Sequence, residues 1–174
     1  MRKIFNFKFK KNEKGFTLVE QLIYMGLFSI LLVVLMSMFT SILDAHLESE
    51  STSSIIQDAN YIMSRLTYDI HQSNAIALPI YGTTGVALRI INSATDFTYQ
   101  AVGGKLQLTN NITGTTDQLN SNETTVSSAT FTNLGNSPTG KNTIQIAIVL
   151  KSVVVRPGGN NSPKTFSTTV GIRK

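Results

Sequence analysis

Lys14-Gly15-Phe16-Thr17-Leu18-Val19-Glu20 opens a stretch that carries no further charge until Asp44. This stretch decides the fold, because residues 21–43 contain no Lys, Arg, Asp or Glu. At 1.5 Å per residue, a helix of about 23 residues reaches roughly 35 Å. That is enough to cross the ~30 Å hydrocarbon core of a bilayer. Glu20 is then an acid at the edge of a membrane segment. A carboxylate at the bilayer centre costs ~2.5 kcal/mol or more, so an acid kept near one is a functional-site candidate whose partner must be named.

Outward toward the amino end, the chain is strongly basic. Arg2, Lys3, Lys8, Lys10, Lys11 and Lys14 face only Glu13, so residues 1–15 carry a net charge of +5, the whole formal charge of the protein. The remaining residues hold nine basic and nine acidic side chains. They lack the clustered basic patch that nucleic-acid binding needs. Basic residues beside a span stay cytoplasmic, which puts the amino end inside and the residues beyond Asp44 outside. Lys8-Phe9-Lys10-Lys11 could also rest on an anionic inner leaflet; a plain orientation signal is the simpler reading. A cleaved secretory signal peptide fits less well, since the apolar run is about twice the usual ~7–15 residues. An uncleaved signal anchor is the plain alternative.

The stretch resembles the class III signal of type IV prepilins and type II secretion pseudopilins. Gly15-Phe16-Thr17-Leu18-Val19-Glu20 matches that pattern at every position, and Gln21-Leu22-Ile23-Tyr24-Met25-Gly26-Leu27-Phe28 continues it. The resemblance covers residues 1 to about 43. It implies removal of a 1–15 leader by a prepilin peptidase that cuts after Gly15 and N-methylates Phe16. It also implies that Glu20 pairs with the methylated amine of a neighbouring subunit. Opposite charges in a low dielectric attract strongly, and each is costly to leave unpaired. The implied partners are the peptidase, the membrane, an inner-membrane assembly platform and other pilins or pseudopilins in a hetero-oligomeric filament. The implied location is the cytoplasmic membrane as a single-pass protein, then a cell-surface pilus or periplasmic pseudopilus.

Outward toward the carboxyl end, residues 44–54 turn polar without a Gly or Pro. They either continue the helix or fray. Ile55, Ala59, Ile62, Leu66 and Ile70 then fall at spacings of four, three, four and four, the stripe of an amphipathic helix. Met63 widens the stripe. Arg65 and Asp69 sit four apart and are placed to pair on the surface, worth a few tenths of a kcal/mol. Pro79 ends the pattern by Leu78. The spacing predicts one helix from Phe16 to about Ala77, a 16–43 membrane half and a 44–78 amphipathic half, some 90 Å in all. Arg65-Leu66-Thr67-Tyr68-Asp69-Ile70 resembles the helix end of J-type pseudopilins and W-type minor pilins.

Residues 79–174 read as a β domain with period-two alternation. Strands are expected from Val86 to Ile91, Ala129 to Leu134, Thr143 to Arg156 and Lys164 to Arg173. Phe97–Val102 and Lys105–Thr109 make a hairpin about Gly103-Gly104, where positive φ is required. Residues 110–128, rich in Asn, Ser and Thr, read as a surface loop. Gly135–Gly140 and Pro157–Asn161 read as turns. The layout is α+β, pilin-like, with a long amino-terminal helix whose distal stripe covers an antiparallel sheet.

Other chemistry is thin. With no cysteine, disulfides, thiolate metal sites and Cys nucleophiles are excluded. His46 and His71 are too far apart for a local metal motif. Asp117 and Glu123 could begin a calcium loop, but no dense run of acids surrounds them. Asn111-Ile112-Thr113 and Asn122-Glu123-Thr124 fit the glycosylation pattern, which such a composition supplies by chance. No Walker, dinucleotide or Gly-x-Ser-x-Gly pattern appears. Together with the resemblance, which implies a minor pilin or pseudopilin, the sequence reads as non-enzymatic, with no cofactor, no metal and no nucleic acid expected. The alternative is a competence pseudopilus component or adhesive minor pilin that binds DNA or a surface ligand.

Overall fold

The computed structural model describes residues 15–135, 142–154 and 162–173. The expected leader before Gly15, the 136–140 and 157–161 turns and the 155–156 end of a predicted strand lie outside the described residues. Among those described, one helix and nine strands follow in order: α1 (Leu18–Gln72), β1 (Ala75–Leu78), β2 (Thr84–Gly85), β3 (Ala87–Ile91), β4 (Asp96–Val102), β5 (Lys105–Asn110), β6 (Thr116–Gln118), β7 (Thr124–Asn133), β8 (Thr143–Ser152) and β9 (Lys164–Gly171). The chain divides into two compact units, one up to Leu43 and one from Asp44.

In the first unit, the helix is apolar on every side. Leu22, Phe28, Leu31, Val34, Phe39 and Ile42 are all about half exposed or more. By length and composition the helix can cross a membrane. Its few hydroxyls are satisfied internally, as hydrocarbon surroundings demand. Ser29 Oγ donates to Met25 O at 2.8 Å, Ser37 Oγ to Val33 O at 2.9 Å and Ser41 Oγ to Ser37 O at 2.9 Å.

In the second unit, the polar 44–54 stretch stays helical. All five members of the predicted stripe are at most 3% exposed. Ser51, Ser54, Asp58 and Asp69 are buried on α1 as well. The α+β expectation holds, with the helix packed on antiparallel strands. The strands form two sheets rather than one, with orders β1-β3-β4-β5-β6 and β2-β7-β8-β9. β7 also touches β3, β4 and β5, and Leu88, Tyr99, Leu106, Phe131, Ile144, Ile146, Ile148 and Leu150 are almost wholly buried. Burying each such side chain contributes about 1.5–3 kcal/mol.

The predicted hairpin is present, with Val102 opposite Lys105. Gly103 and Gly104 both have positive φ, 58° and 79°. Gly104 is doubly constrained: a Cβ there would stand 2.7 Å from Thr125 Cγ2, and its carbonyl accepts Val126 N–H at 2.8 Å. In β8, Ile144, Ile146, Ile148 and Leu150 face inward as the alternation requires.

Besides the second sheet, and β8, which ends at Ser152 rather than running on through Val153 and Val154, two expectations need correction. The helix does not reach Ala77; it ends at Gln72. Ser73 N and Ser73 Oγ both turn back to Ile70 O, at 3.2 and 2.7 Å. Asn74 N–H then goes to Ile91 O at 2.9 Å, and β1 pairs with β3 from Ala75 opposite Ile91. Pairing with β3 outweighs local helix continuation. The second correction concerns residues 110–128, which are not one surface loop. They contain β6 and the start of β7, with Leu119 and Asn120 buried between. Asn120 substitutes for backbone partners there: its Oδ1 accepts Leu106 N–H at 2.9 Å and its Nδ2 donates to Thr124 O at 2.8 Å. Thr and Ser suit the outward positions of a strand, so polarity alone misreads this region.

Candidate functional site

The head of α1 is built by Thr17. Residues 15–17 are not helical and α1 starts at Leu18. Thr17 Oγ1 accepts Glu20 N–H at 3.3 Å, and Thr17 O accepts Gln21 N–H at 3.1 Å. Thr17-x-x-Glu20 has the spacing of a capping box, and an acid in the first turn is favoured by the partial positive charge of the helix start.

Gly15 has no such local reason. Its φ is not positive, and a Cβ built on it would meet nothing within 4 Å. The fold therefore does not require glycine at this position. Phe16 is 70% exposed, and its ring lies edge-on to that of Tyr24, with centroids 5.9 Å apart and planes at 67°. Glu20 is half-buried. Among the described residues, its carboxylate takes one hydrogen bond, from Tyr24 Oη at 3.3 Å. Tyr24 thus touches both Phe16, just ahead of the helix, and Glu20, one turn before it. Phe16 and Glu20 are nameable from the sequence, whereas the contacts of Tyr24 with both come from the structure.

The acids of the second unit are satisfied quite differently. Asp58 Oδ2 accepts Ser121 N–H at 2.9 Å, Ser121 Oγ at 2.8 Å and Thr124 Oγ1. Asp69 Oδ2 accepts Arg65 Nε at 2.6 Å and Tyr99 Oη. The predicted Arg65–Asp69 pair is made, but Asp69 is buried rather than on the surface. Burial, then the hydrogen bond to Asp69, pushes the Tyr99 hydroxyl far above its ordinary range. These contacts tie α1 to the strands and leave no open chemistry. The two histidines stand apart. His46 pairs loosely with Glu50 at 4.0 Å, and His71 Nδ1 bonds Gly171 O at 2.8 Å. Asp117 lies in β6 and Glu123 on an exposed turn. Among the described residues, no three His, Cys, Asp or Glu come together as a metal site.

Residues 10–36 match the family described as the prokaryotic N-terminal methylation motif. The chain carries a type IV pilin-like class III signal. The match spans the capping Thr17, the exposed Phe16 and the half-buried Glu20, and stops inside the apolar helix. Comparison with curated proteins found no match, and comparison with solved structures found none. The methylation motif therefore accounts for the head of α1, while the β domain rests on its own physics.

Proposed function

We propose that the protein is a minor pilin or pseudopilin, a structural subunit of a type IV pilus or type II secretion pseudopilus. A prepilin peptidase cuts after Gly15 and methylates the new amine of Phe16. The subunit waits in the cytoplasmic membrane, amino end inside and β domain outside, until an inner-membrane platform builds it into a filament with other pilins. Residues 16–43 pack there against neighbouring helices. Glu20 receives the methylated amine of an adjacent subunit.

The observation that carries this reading is the methylation motif at the head of a helix whose first half is exposed and apolar on every side. Gly15 adds support, because a glycine that the fold does not need is free to serve a peptidase. The Arg65–Ile70 helix end, resembling J-type and W-type subunits, favours a minor role. The other reading, a DNA-binding competence component or adhesin, draws less support from a β domain and helix with nine basic and nine acidic side chains in all.

The test is co-expression with a prepilin peptidase, followed by mass spectrometry of the mature terminus. An N-methylated Phe16 is expected; an intact amino end, or a cut elsewhere, defeats the proposal. Glu20→Ala is expected to be cut normally and to lose at least about tenfold in filament incorporation, the scale of a hydrogen-bonded charge contact.

A further inference from the structure

Among the described residues, the Glu20 carboxylate finds one donor. That donor is Tyr24. Its hydroxyl reaches Oε1 of Glu20 at 3.3 Å, long for an O–H···O bond. Its ring rests edge-on against Phe16 at 5.9 Å. An edge-to-face aromatic pair adds to what area burial alone supplies. No charged side chain lies between Gln21 and Leu43 to compete. One side chain thus touches both residues that the proposed assembly contact requires.

We propose that Tyr24 is a positioning residue for the amino-terminal contact: it holds the Glu20 carboxylate and the Phe16 ring in place until an incoming amine replaces the hydroxyl. The inference rests on the filament reading for its purpose, but the contact itself can be tested without a filament. Orienting a group beforehand removes part of the cost of binding. An acid already held in place meets its partner with less to reorganise. Because the hydroxyl is neutral and its bond long, an ammonium group displaces it readily; a charge-assisted bond is roughly twice as strong as a neutral one.

The contact is read by NMR of the full chain in detergent micelles, labelled at tyrosine ¹³Cζ, a nucleus sensitive to hydrogen bonding of the phenol. Tyr24→Phe assigns the Tyr24 signal by removing it. Glu20→Gln is expected to move that signal and leave the other four tyrosines in place. A Tyr24 signal indifferent to Glu20→Gln overturns the proposal. The positioning role is read by a double-mutant cycle on incorporation. Tyr24→Leu is expected to lower incorporation about fivefold when Glu20 is present, the scale of one hydrogen bond or ring contact, and by less than about twofold in Glu20→Gln. Equal losses in both backgrounds overturn positioning through the acid. Normal incorporation of Glu20→Gln with a shifted Tyr24 signal defeats the filament charge contact and upholds the Tyr24 contact.

Discussion

Two stretches of one helix treat their acids in opposite ways. Between Asp44 and Gln72, Asp58 and Asp69 are buried and each oxygen that matters is held by two or three donors from the same chain. Between Leu18 and Leu43, Glu20 is half-buried and, among the described residues, receives a single long bond. The surrounding side chains differ in the same sense. Ile62, Leu66 and Ile70 are covered by their own chain, whereas Leu22, Phe28 and Phe39 are not. The lesson is that one half of the helix is completed by folding and the other half is left for a second medium or molecule. Apolar area exposed to water is unfavourable at about 25 cal/mol per Å², so a helix half this apolar implies lipid or other helices around it.

The comparison breaks first at Asp69, where the largest effect is expected. Asp69→Ala leaves the buried Tyr99 hydroxyl without its acceptor and Arg65 without its partner. Stranding the buried hydroxyl and losing the half-exposed Arg65 partner together cost about 3 kcal/mol. Urea unfolding of the full chain in micelles, followed by near-UV circular dichroism, measures it. Adding Tyr99→Phe is expected to recover part of the loss, because both ends of the bond are then gone. Asp58→Ala comes next, at about 2 kcal/mol. Of its donor residues, Thr124 is buried while Ser121 is exposed and can turn to water. A change under about 0.5 kcal/mol in either acid would mean that the second half of the helix is not held through its carboxylates.

Much of this contrast was legible in the sequence, and the part that was not has a physical cause. The apolar run after Gly15, the stripe from Ile55 to Ile70 and the Gly103-Gly104 hairpin are local patterns, and each is found where periodicity or turn chemistry puts it. Asp58 was not singled out, because its donors Ser121 and Thr124 lie more than sixty residues away. Asp69 was placed on the surface because Arg65 is a local partner and Tyr99 a distant one. The helix end was placed too late, since β1 owes its existence to pairing with β3 and Ala75-Ile76-Ala77-Leu78 carries no local mark of a strand. Residues 110–128 were misread because buried Asn120 and Leu119 sit among polar neighbours whose outward positions conceal a strand. Of the candidate site, Gly15, Phe16 and Glu20 were nameable from order alone; the joining role of Tyr24 needed coordinates.

A fourth carboxylate, Asp96, sharpens the comparison from outside the helix. Arg89 donates to it at 3.0 and 2.6 Å, and Asn111 Nδ2 at 2.7 Å. These donors, Arg89 first, hold its pKa at about 2, below the ordinary 3.8. Because the folded value is lowered, the stabilisation is complete above about pH 4 and is lost as pH falls toward about 2. The Arg89 side chain is 42% exposed, so solvent screens the pair and its worth is small. Arg89→Gln is therefore expected to be slightly less stable than the parent at pH 6, with the gap closing by pH 2 and shrinking in high salt. A gap unchanged across that range would assign Arg89 a packing role instead.

The smallest expected effect is the one that bears most on the contrast. Glu20→Gln keeps the size of the side chain and the backbone N–H bond to Thr17 Oγ1 that caps the helix. It removes only the charge. If the first half of the helix is finished by something other than its own chain, unfolding of the β domain does not sense this change, and the difference from the parent stays within about 0.5 kcal/mol. Incorporation into a filament should respond strongly to the same substitution. A substitution silent in folding and costly in assembly marks a carboxylate kept for another molecule. Should Glu20→Gln instead destabilise the β domain as much as Asp58→Ala does, the acid serves its own fold and the distinction between the two halves of the helix fails.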